Sequence, residues 1–112
     1  MKRYLISFDD GAMTFPEADL SDVAEAARKV VYEAKDAGVW IFGGGLLSQR
    51  ASIVATDGTV TDGPYPETKA VIGGFSIIDV PSREEALEWA AKIAVACRCA
   101  QEVREIVPDP NV

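Results

Sequence analysis

The sequence predicts one α+β domain, spanning residues 1–112, in which two helices accompany an antiparallel sheet. Stretches with a period of two residues alternate along the chain with stretches that have a helical spacing of three and four. Two short strand-like runs flank an Asp-Gly pair, as in a β-hairpin. The composition, 48% hydrophobic and 26% charged over 112 residues, is that of an ordinary soluble globular protein.

The first two elements are a strand and a helix. Lys2 to Phe8 predicts the strand, because the apolar side chains alternate along it. The helix is expected to have its N-cap at Asp19 or Ser21 and to end at about Ala37, where Gly38 suits the left-handed residue after a helix. Apolar residues at spacings of three and four support it: Leu20, Val23, Ala24, Ala27, Val30, Val31 and Ala34.

A second strand begins at Val39 to Phe42 and is apolar on both faces. A strand without alternation is one that is covered on both sides. It runs into the glycines 43–45, which suit a bulge or a close approach of another backbone or a ligand. Their spacing does not match the glycine fingerprints of nucleotide-binding loops, and no cofactor is expected.

The middle of the chain predicts a hairpin and a long strand. Asp57-Gly58 lies between the runs 51–56 and 59–61 and favours a two-residue turn of type I′. A second turn follows at residues 62–64. The next long strand is expected from Ala70 to Val80, where Pro81 stops it.

The last two elements are again a helix and a strand. Ser82 and Glu85 have the spacing of a capping box, which predicts a helix starting there. That helix should end between Ala94 and Cys97. Glu102 to Val107 alternates and predicts the final strand.

The resulting order is β-α-β, a hairpin, and β-α-β, which is the split βαβ, ferredoxin-like pattern with an added hairpin. Two helices can cover only one face of such a sheet. Because the second and third long strands carry apolar residues on both faces, the other face needs a partner, and a second copy of the chain is the simplest one. We therefore predict a homodimer packed face to face.

The net charge and the start of the chain bear on which partners the protein binds and where it is expected in the cell. The net charge of −7 argues against binding to nucleic acid or to an anionic membrane surface. The longest apolar run, Val39 to Leu47, is far shorter than the roughly 20 residues that span a bilayer. The start of the chain lacks the long apolar segment of a signal peptide, so a cytoplasmic protein is expected.

The two cysteines, Cys97 and Cys99, give a weak basis for a metal site. Structural zinc normally takes four Cys or His ligands, and this chain has two cysteines and no histidine. A disulfide between residues only two apart would need unusual geometry. A reactive thiolate at one of these cysteines is an alternative interpretation, and Arg98 is the one basic residue close to them in sequence.

The stretch Thr61 to Gly74 combines a turn, two prolines, an aromatic residue, an acid and a base directly before a strand. Such a density of special residues indicates a site. Pro64 fixes its own backbone, and Pro66 restrains the residue before it to extended conformations. Tyr65 should therefore be held stiffly.

The same stretch resembles the signature of the YCII-related proteins called DGPF-domain proteins, whose motif runs Asp-Gly-Pro-Phe-x-Glu-Thr-Lys. Thr61 to Lys69 and Gly73 to Phe75 carry the likeness. The helix at Glu85 to Ala90 and the strand at Glu102 to Arg104 match in type and spacing. The resemblance covers nearly the whole chain and implies a dimeric α/β barrel fold, in which two ferredoxin-like units pack sheet to sheet.

The resemblance implies less about activity. Relatives by fold include small monooxygenases, isomerases and dehydrochlorinases that use a pocket between sheet and helices, and some DGPF proteins are encoded beside, or fused to, sigma factors. In YCII proteins proper a His-Asp pair is the candidate acid–base site. This chain has no histidine, so that assignment does not carry over.

Three residues of the motif are candidates for catalysis: Asp62, Glu67 and Lys69. Asp62 could simply form an Asx-turn, or it could act as a general base if burial raises its pKa. Glu67 and Lys69 are two apart and would share a face of an extended segment. They could form a solvated ion pair, or line a pocket as a positioned acid and base.

Three further residues are candidates for substrate binding: Gly63, Tyr65 and Arg104. Family members more often have Phe at the position of Tyr65, which favours packing of the ring over proton transfer. Arg104 could clamp a substrate carboxylate with two hydrogen bonds. Alternation puts it on the same face as Glu102, so a structural pair between the two is an equally simple reading.

The function predicted from these residues is binding of a small organic molecule in a pocket bounded by Asp62 to Lys69. Acid–base turnover there would need a carboxylate, Tyr or Lys with a shifted pKa, because histidine is absent. The alternative is a noncatalytic regulatory or protein-interaction module, in a setting linked to a sigma factor. Convergence of the candidate residues on an apolar cavity would favour binding, and pairing among themselves at the surface would favour the module.

Overall fold

The architecture was obtained as a computed structural model, which describes residues 1–66 and 69–112. In chain order these residues form β1 (Lys2–Asp9), a short 3-10 turn (Glu17–Asp19), α1 (Leu20–Asp36), β2 (Trp40–Gly45), β3 (Ser52–Val54), β4 (Val60–Asp62), β5 (Ile72–Val80), α2 (Arg83–Cys97) and β6 (Glu102–Glu105). The predicted order of helices and strands is confirmed. No helix in this part of the chain has the length and apolar content needed to cross a membrane.

The main sheet has four strands in the order β2-β5-β1-β6, and each neighbouring pair is antiparallel. This is the ferredoxin-like arrangement, so the predicted fold class is confirmed. The strands β3 and β4 form a separate two-stranded sheet, which is the added hairpin.

The core lies between one face of the main sheet and the two helices. Tyr4 and Ile6 of β1 and Ile78 and Val80 of β5 are almost completely buried there. The helices contribute mainly alanines: Ala34 from α1 and Ala86 and Ala90 from α2. These small side chains allow the helices to pack closely on the sheet.

Among the residues that the structure describes, no helix covers the opposite face of the sheet. Residues paired directly across antiparallel strands share a face, and Leu5 pairs with Ile77, which in turn pairs with Phe42. Ile6, next to Leu5, belongs to the core, so the Leu5 row faces away from it. Phe42 is 63% exposed, and its ring centroid lies 5.9 Å from that of Phe75 on the same open face. In the single chain Phe42 on this face is exposed, and Leu5, Phe75 and Ile77 are half-buried.

The two helices start differently. The Ser82 hydroxyl accepts a hydrogen bond from the Glu85 backbone N–H at 3.2 Å, so the predicted cap of α2 is confirmed. Asp19 is the N-cap of α1 but makes no capping hydrogen bond with its side chain. Its carboxylate instead accepts a hydrogen bond of 2.7 Å from Arg98, the left-handed residue that ends α2. This contact joins the start of one helix to the end of the other.

The hairpin turn differs from the prediction. The Gly58 N–H donates to the Ala55 carbonyl at 2.9 Å, and the Ala55 N–H donates to the Thr59 carbonyl at 2.8 Å. These bonds close a loop of three residues, 56–58, with Gly58 in the left-handed region at φ 87°. The predicted two-residue type I′ turn was wrong. The Asp57 carboxylate accepts the Thr59 N–H at 2.9 Å, which stabilises the longer loop.

Candidate functional site

A cavity of about 460 Å³ lies between the helices and the β2–β5 side of the sheet. From the strands it is lined by Phe8, Trp40, Gly43 and Ser76, and Phe42 and Phe75 of the open face also border it at the β2 edge of the sheet. The helices add Val30, Val31, Trp89 and Ile93 to the wall. The wall is therefore mostly apolar and contains several aromatic rings.

Gly43 lets the Trp40 ring lie against the strand at this wall. A β-carbon on Gly43 would lie 2.5 Å from the backbone oxygen of Phe75 and 2.8 Å from Cη2 of Trp40. Gly45 also lines the cavity, yet a β-carbon there would meet nothing within 4 Å. The β2–β5 register shifts between Trp40 and Phe42, before the glycines for which a bulge was considered, and residues 43–45 pair regularly with β5.

The polar part of the cavity wall is small. Among the described residues that line it, Lys35 carries the one formal charge, and Ser76, Cys97 and Gln101 add neutral polar groups. Burial, together with the nearby Cys99 thiol, raises the pKa of Cys97 above its ordinary value. The Cys97 thiol is therefore protonated at neutral pH, which makes it a poor nucleophile.

The predicted catalytic residue Asp62 and the predicted binding residue Gly63 lie elsewhere, in a polar cleft. This cleft has a volume of about 390 Å³ and is also lined by Gln49, Arg50 and Ser52. The Ser52 hydroxyl donates a hydrogen bond to the Asp62 carboxylate. Both side chains are exposed to solvent, so Asp62 does not lie in a buried pocket.

Tyr65 is fixed by three contacts. Its backbone N–H donates to Oε1 of Gln49 at 2.6 Å, and its hydroxyl donates to the Thr61 carbonyl at 3.0 Å. The Lys69 ammonium lies 5.0 Å from the centroid of the Tyr65 ring, within the range of a cation–π contact. The predicted partner of Lys69, Glu67, lies outside the described residues.

Arg104 lies on β6, at the sheet edge farthest from β2. Its Nε atom is 3.8 Å from the Glu102 carboxylate, and the two side chains are 75% and 63% exposed. This is the structural pair considered for Arg104, and such exposed pairs contribute about 0–1 kcal/mol. Of the predicted site residues that the structure describes, none lines the apolar cavity. The roles assigned to them stay predictions.

The profile of the YCII-related domain family matches residues 4–109 of the chain. The chain belongs to the YCII-related family. The resemblance carried by the motif at residues 61–75 is thereby confirmed. No curated protein matches this YCII-related chain.

A solved structure with the same fold is 5-chloro-2-hydroxyhydroquinone dehydrochlorinase from Burkholderia phenoliruptrix AC1100, in complex with 2,5-dihydroxybenzoquinone. The match covers 97% of each chain with a TM-score of 0.54 and 16% sequence identity. At this identity the likeness establishes the fold of the YCII-related protein and leaves its chemistry to be argued from its own residues.

The cavity residues could not be identified from the sequence, because they belong to no motif. Trp40 and Phe8 were interpreted only as strand residues, and Lys35 was not singled out. Trp89 of α2 is half-buried, packs against the core and lines the cavity. One feature of the sequence could have indicated this cavity: the two tryptophans of the chain lie on a predicted strand and on a predicted helix that covers the sheet.

The described residues of this YCII-related protein contain no group of three His, Cys, Asp or Glu side chains that could hold a metal ion. Cys97 and Cys99 are both free thiols. The pair is thus joined neither by a disulfide nor to further ligands in the described part of the chain.

Proposed function

We propose that this YCII-related protein binds a small, largely apolar, ring-containing organic molecule in the cavity between β2, β5 and the two helices. The observation that carries the proposal is the cavity itself, about 460 Å³ in volume, whose wall combines the rings of Phe8, Trp40 and Trp89 with few polar groups. Small-molecule sites commonly occupy about 300–1,000 Å³ and have this mixture of apolar wall and sparse polar groups.

The relative with the same fold supports the choice of ligand class. That dehydrochlorinase is bound to 2,5-dihydroxybenzoquinone, a molecule with a single six-membered ring. A ring of this kind fits the cavity by size, and flat rings stack favourably on aromatic side chains.

Binding is the function that the cavity supports best, ahead of acid–base turnover. The predicted acids and bases Asp62 and Lys69 do not line it, and the Cys97 thiol that does has a raised pKa. Turnover at the polar cleft around Asp62 stays a prediction. Replacing Asp62 by Asn would leave ligand binding in the apolar cavity unchanged on our proposal.

The test uses a substitution that fills the cavity. Ala27 of α1 lines the cavity, whereas its neighbour Ala26 is exposed and does not. Titration calorimetry with a set of one-ring and two-ring aromatic compounds should detect binding to the wild type and to Ala26→Phe. Ala27→Phe should lose it, because the phenyl ring occupies the space that the ligand needs.

Two results would overturn this proposal. One is that no compound of the set binds the wild type, which is also what a noncatalytic interaction module predicts. The other is equal binding by Ala27→Phe and the wild type, with a thermal melt showing that both variants are folded.

We also propose that two chains pack through their open sheet faces. Support comes from four apolar residues on that face, of which Phe42 is exposed and Leu5, Phe75 and Ile77 are half-buried. An apolar face of this kind is typical of an interface between copies. The net charge of −7 supports a protein that binds neither nucleic acid nor an anionic membrane surface.

A further inference from the structure

The charge of the cavity wall points to a more specific ligand. The protein as a whole has a net charge of −7, yet the described residues that line the cavity include one lysine, Lys35, and no Asp or Glu. We infer that the ligand is an aromatic acid, whose carboxylate pairs with the Lys35 ammonium while its ring lies in the apolar cavity. This inference rests on the proposed function.

The placement of Lys35 suits this role. It lies in the last turn of α1, directly after the buried core residue Ala34, and it is both exposed and part of the cavity wall. A lysine in such a place can lay its aliphatic stem along the apolar wall and keep its ammonium at the water boundary. There a bound carboxylate could stay partly hydrated, which lowers the cost of removing its charge from water.

The ammonium is also available. In the described part of the chain the ion pairs use Lys2, Arg3, Lys92, Arg98 and Arg104 as cations, and Lys35 is not among them. Glu33, an acid two residues earlier on the same helix, is paired with Lys92 at 3.3 Å. A ligand carboxylate would therefore not have to displace an internal partner.

The helix offers a simpler explanation for a lysine at this position. A cation in the last turn interacts favourably with the negative end of the helix dipole. That effect accounts for the charge but does not require the side chain to line a cavity. The absence of any acid from the described lining is the observation that favours an anionic ligand over a neutral or cationic one.

One neutral group on the wall adds to the charge. The Ser76 hydroxyl can donate a hydrogen bond to a ligand carboxylate, whereas Cys97 and Gln101 lie towards the end of α2 that contacts Asp19, away from Lys35 in the last turn of α1. Hydrogen bonds to a carboxylate are stronger than those to a neutral acceptor of the same shape. An acid should therefore bind more tightly than the matching amide.

The experiment compares naphthalene-2-carboxylate with naphthalene-2-carboxamide by titration calorimetry at neutral pH and low salt. The two compounds share ring and shape and differ in charge. The wild type should bind the carboxylate about threefold to fivefold more tightly, which is the order expected of a partly exposed ion pair. Raising the salt concentration should reduce that preference, because the ammonium is partly exposed.

Three variants assign the preference to Lys35. Lys35→Gln should remove the preference, so that it binds the two compounds equally, and Lys35→Arg should keep it. Lys29→Gln is the control, since Lys29 lies on the same helix, is exposed and does not line the cavity. That variant should behave as the wild type.

The outcomes separate the two proposals. Equal binding of both compounds to the wild type, or a preference that persists in Lys35→Gln, overturns the inference and leaves ligand binding in the cavity standing. Failure of both compounds to bind the wild type overturns the proposed function and the inference with it.

Discussion

Gly43 illustrates how one residue shapes the cavity wall. It supplies the space in which the Trp40 ring lies against β2, and the backbone oxygen of Phe75 leaves no room for a β-carbon. A side chain at this position must therefore displace either a tryptophan of the cavity wall or the neighbouring strand.

Gly43→Ala should lower the free energy of unfolding by about 1–3 kcal/mol, the usual cost of overpacking. Gly45→Ala is the matched control, because a β-carbon at Gly45 meets no atom within 4 Å. A urea melt followed by tryptophan fluorescence measures both. Equal midpoints for the two variants would contradict the close approach at Gly43.

Among the elements, α2 has the better-defined start. The Ser82 hydroxyl satisfies the Glu85 N–H, one of the donors that lack a partner in the first turn of a helix. The start of α1 depends instead on Asp19, whose carboxylate contacts Arg98 at the far end of α2. The two helices are thus stabilised by local capping in one case and by a long-range ion pair in the other.

Ser82→Ala should destabilise the protein by about 0.5–2 kcal/mol, as loss of an N-cap does. Ser82→Asn retains a capping oxygen and should stay close to the wild type. Urea denaturation of the two variants would show the difference. If Ala and Asn were equally tolerated, the Ser82 hydrogen bond would contribute nothing to α2.

At the scale of the whole molecule, the exposed face of the sheet is the basis for the proposed dimer. Phe42 lies on that face and is 63% exposed, next to the ring of Phe75. Leaving such a row in water is unfavourable, since burial of apolar surface contributes roughly 25 cal/mol per Å².

Light scattering after gel filtration should therefore give the wild type twice the 12.0 kDa mass of one chain. Phe42→Asp should shift the protein to the mass of one chain, because pairing would bury the new carboxylate in an apolar contact. Tyr32→Asp, on the exposed side of α1, should leave the dimer intact. A wild type with the mass of a single chain would refute the face-to-face pairing.

The sequence determined the elements and their order. The alternation in Lys2 to Phe8, the helical spacing from Leu20 to Ala34 and the Ser82 cap are local patterns, and each produced the structure it predicts. The length of the hairpin loop was not determined in this way, since an Asp-Gly pair fits both a two-residue turn and a three-residue loop with Gly in the left-handed position. The three-residue loop forms because the Ala55 N–H donates to the Thr59 carbonyl, which pairs these two residues across the hairpin.

Only the tertiary structure decided where a ligand would bind. Phe8, Lys35, Trp40 and Trp89 are scattered over four elements, and they share one cavity because the strand order β2-β5-β1-β6 and the two helices bring those elements together. The motif around Asp62 stands out in the sequence because its special residues are adjacent. A cavity between layers has no such local signature, since its walls are built by packing between residues that are distant in the chain.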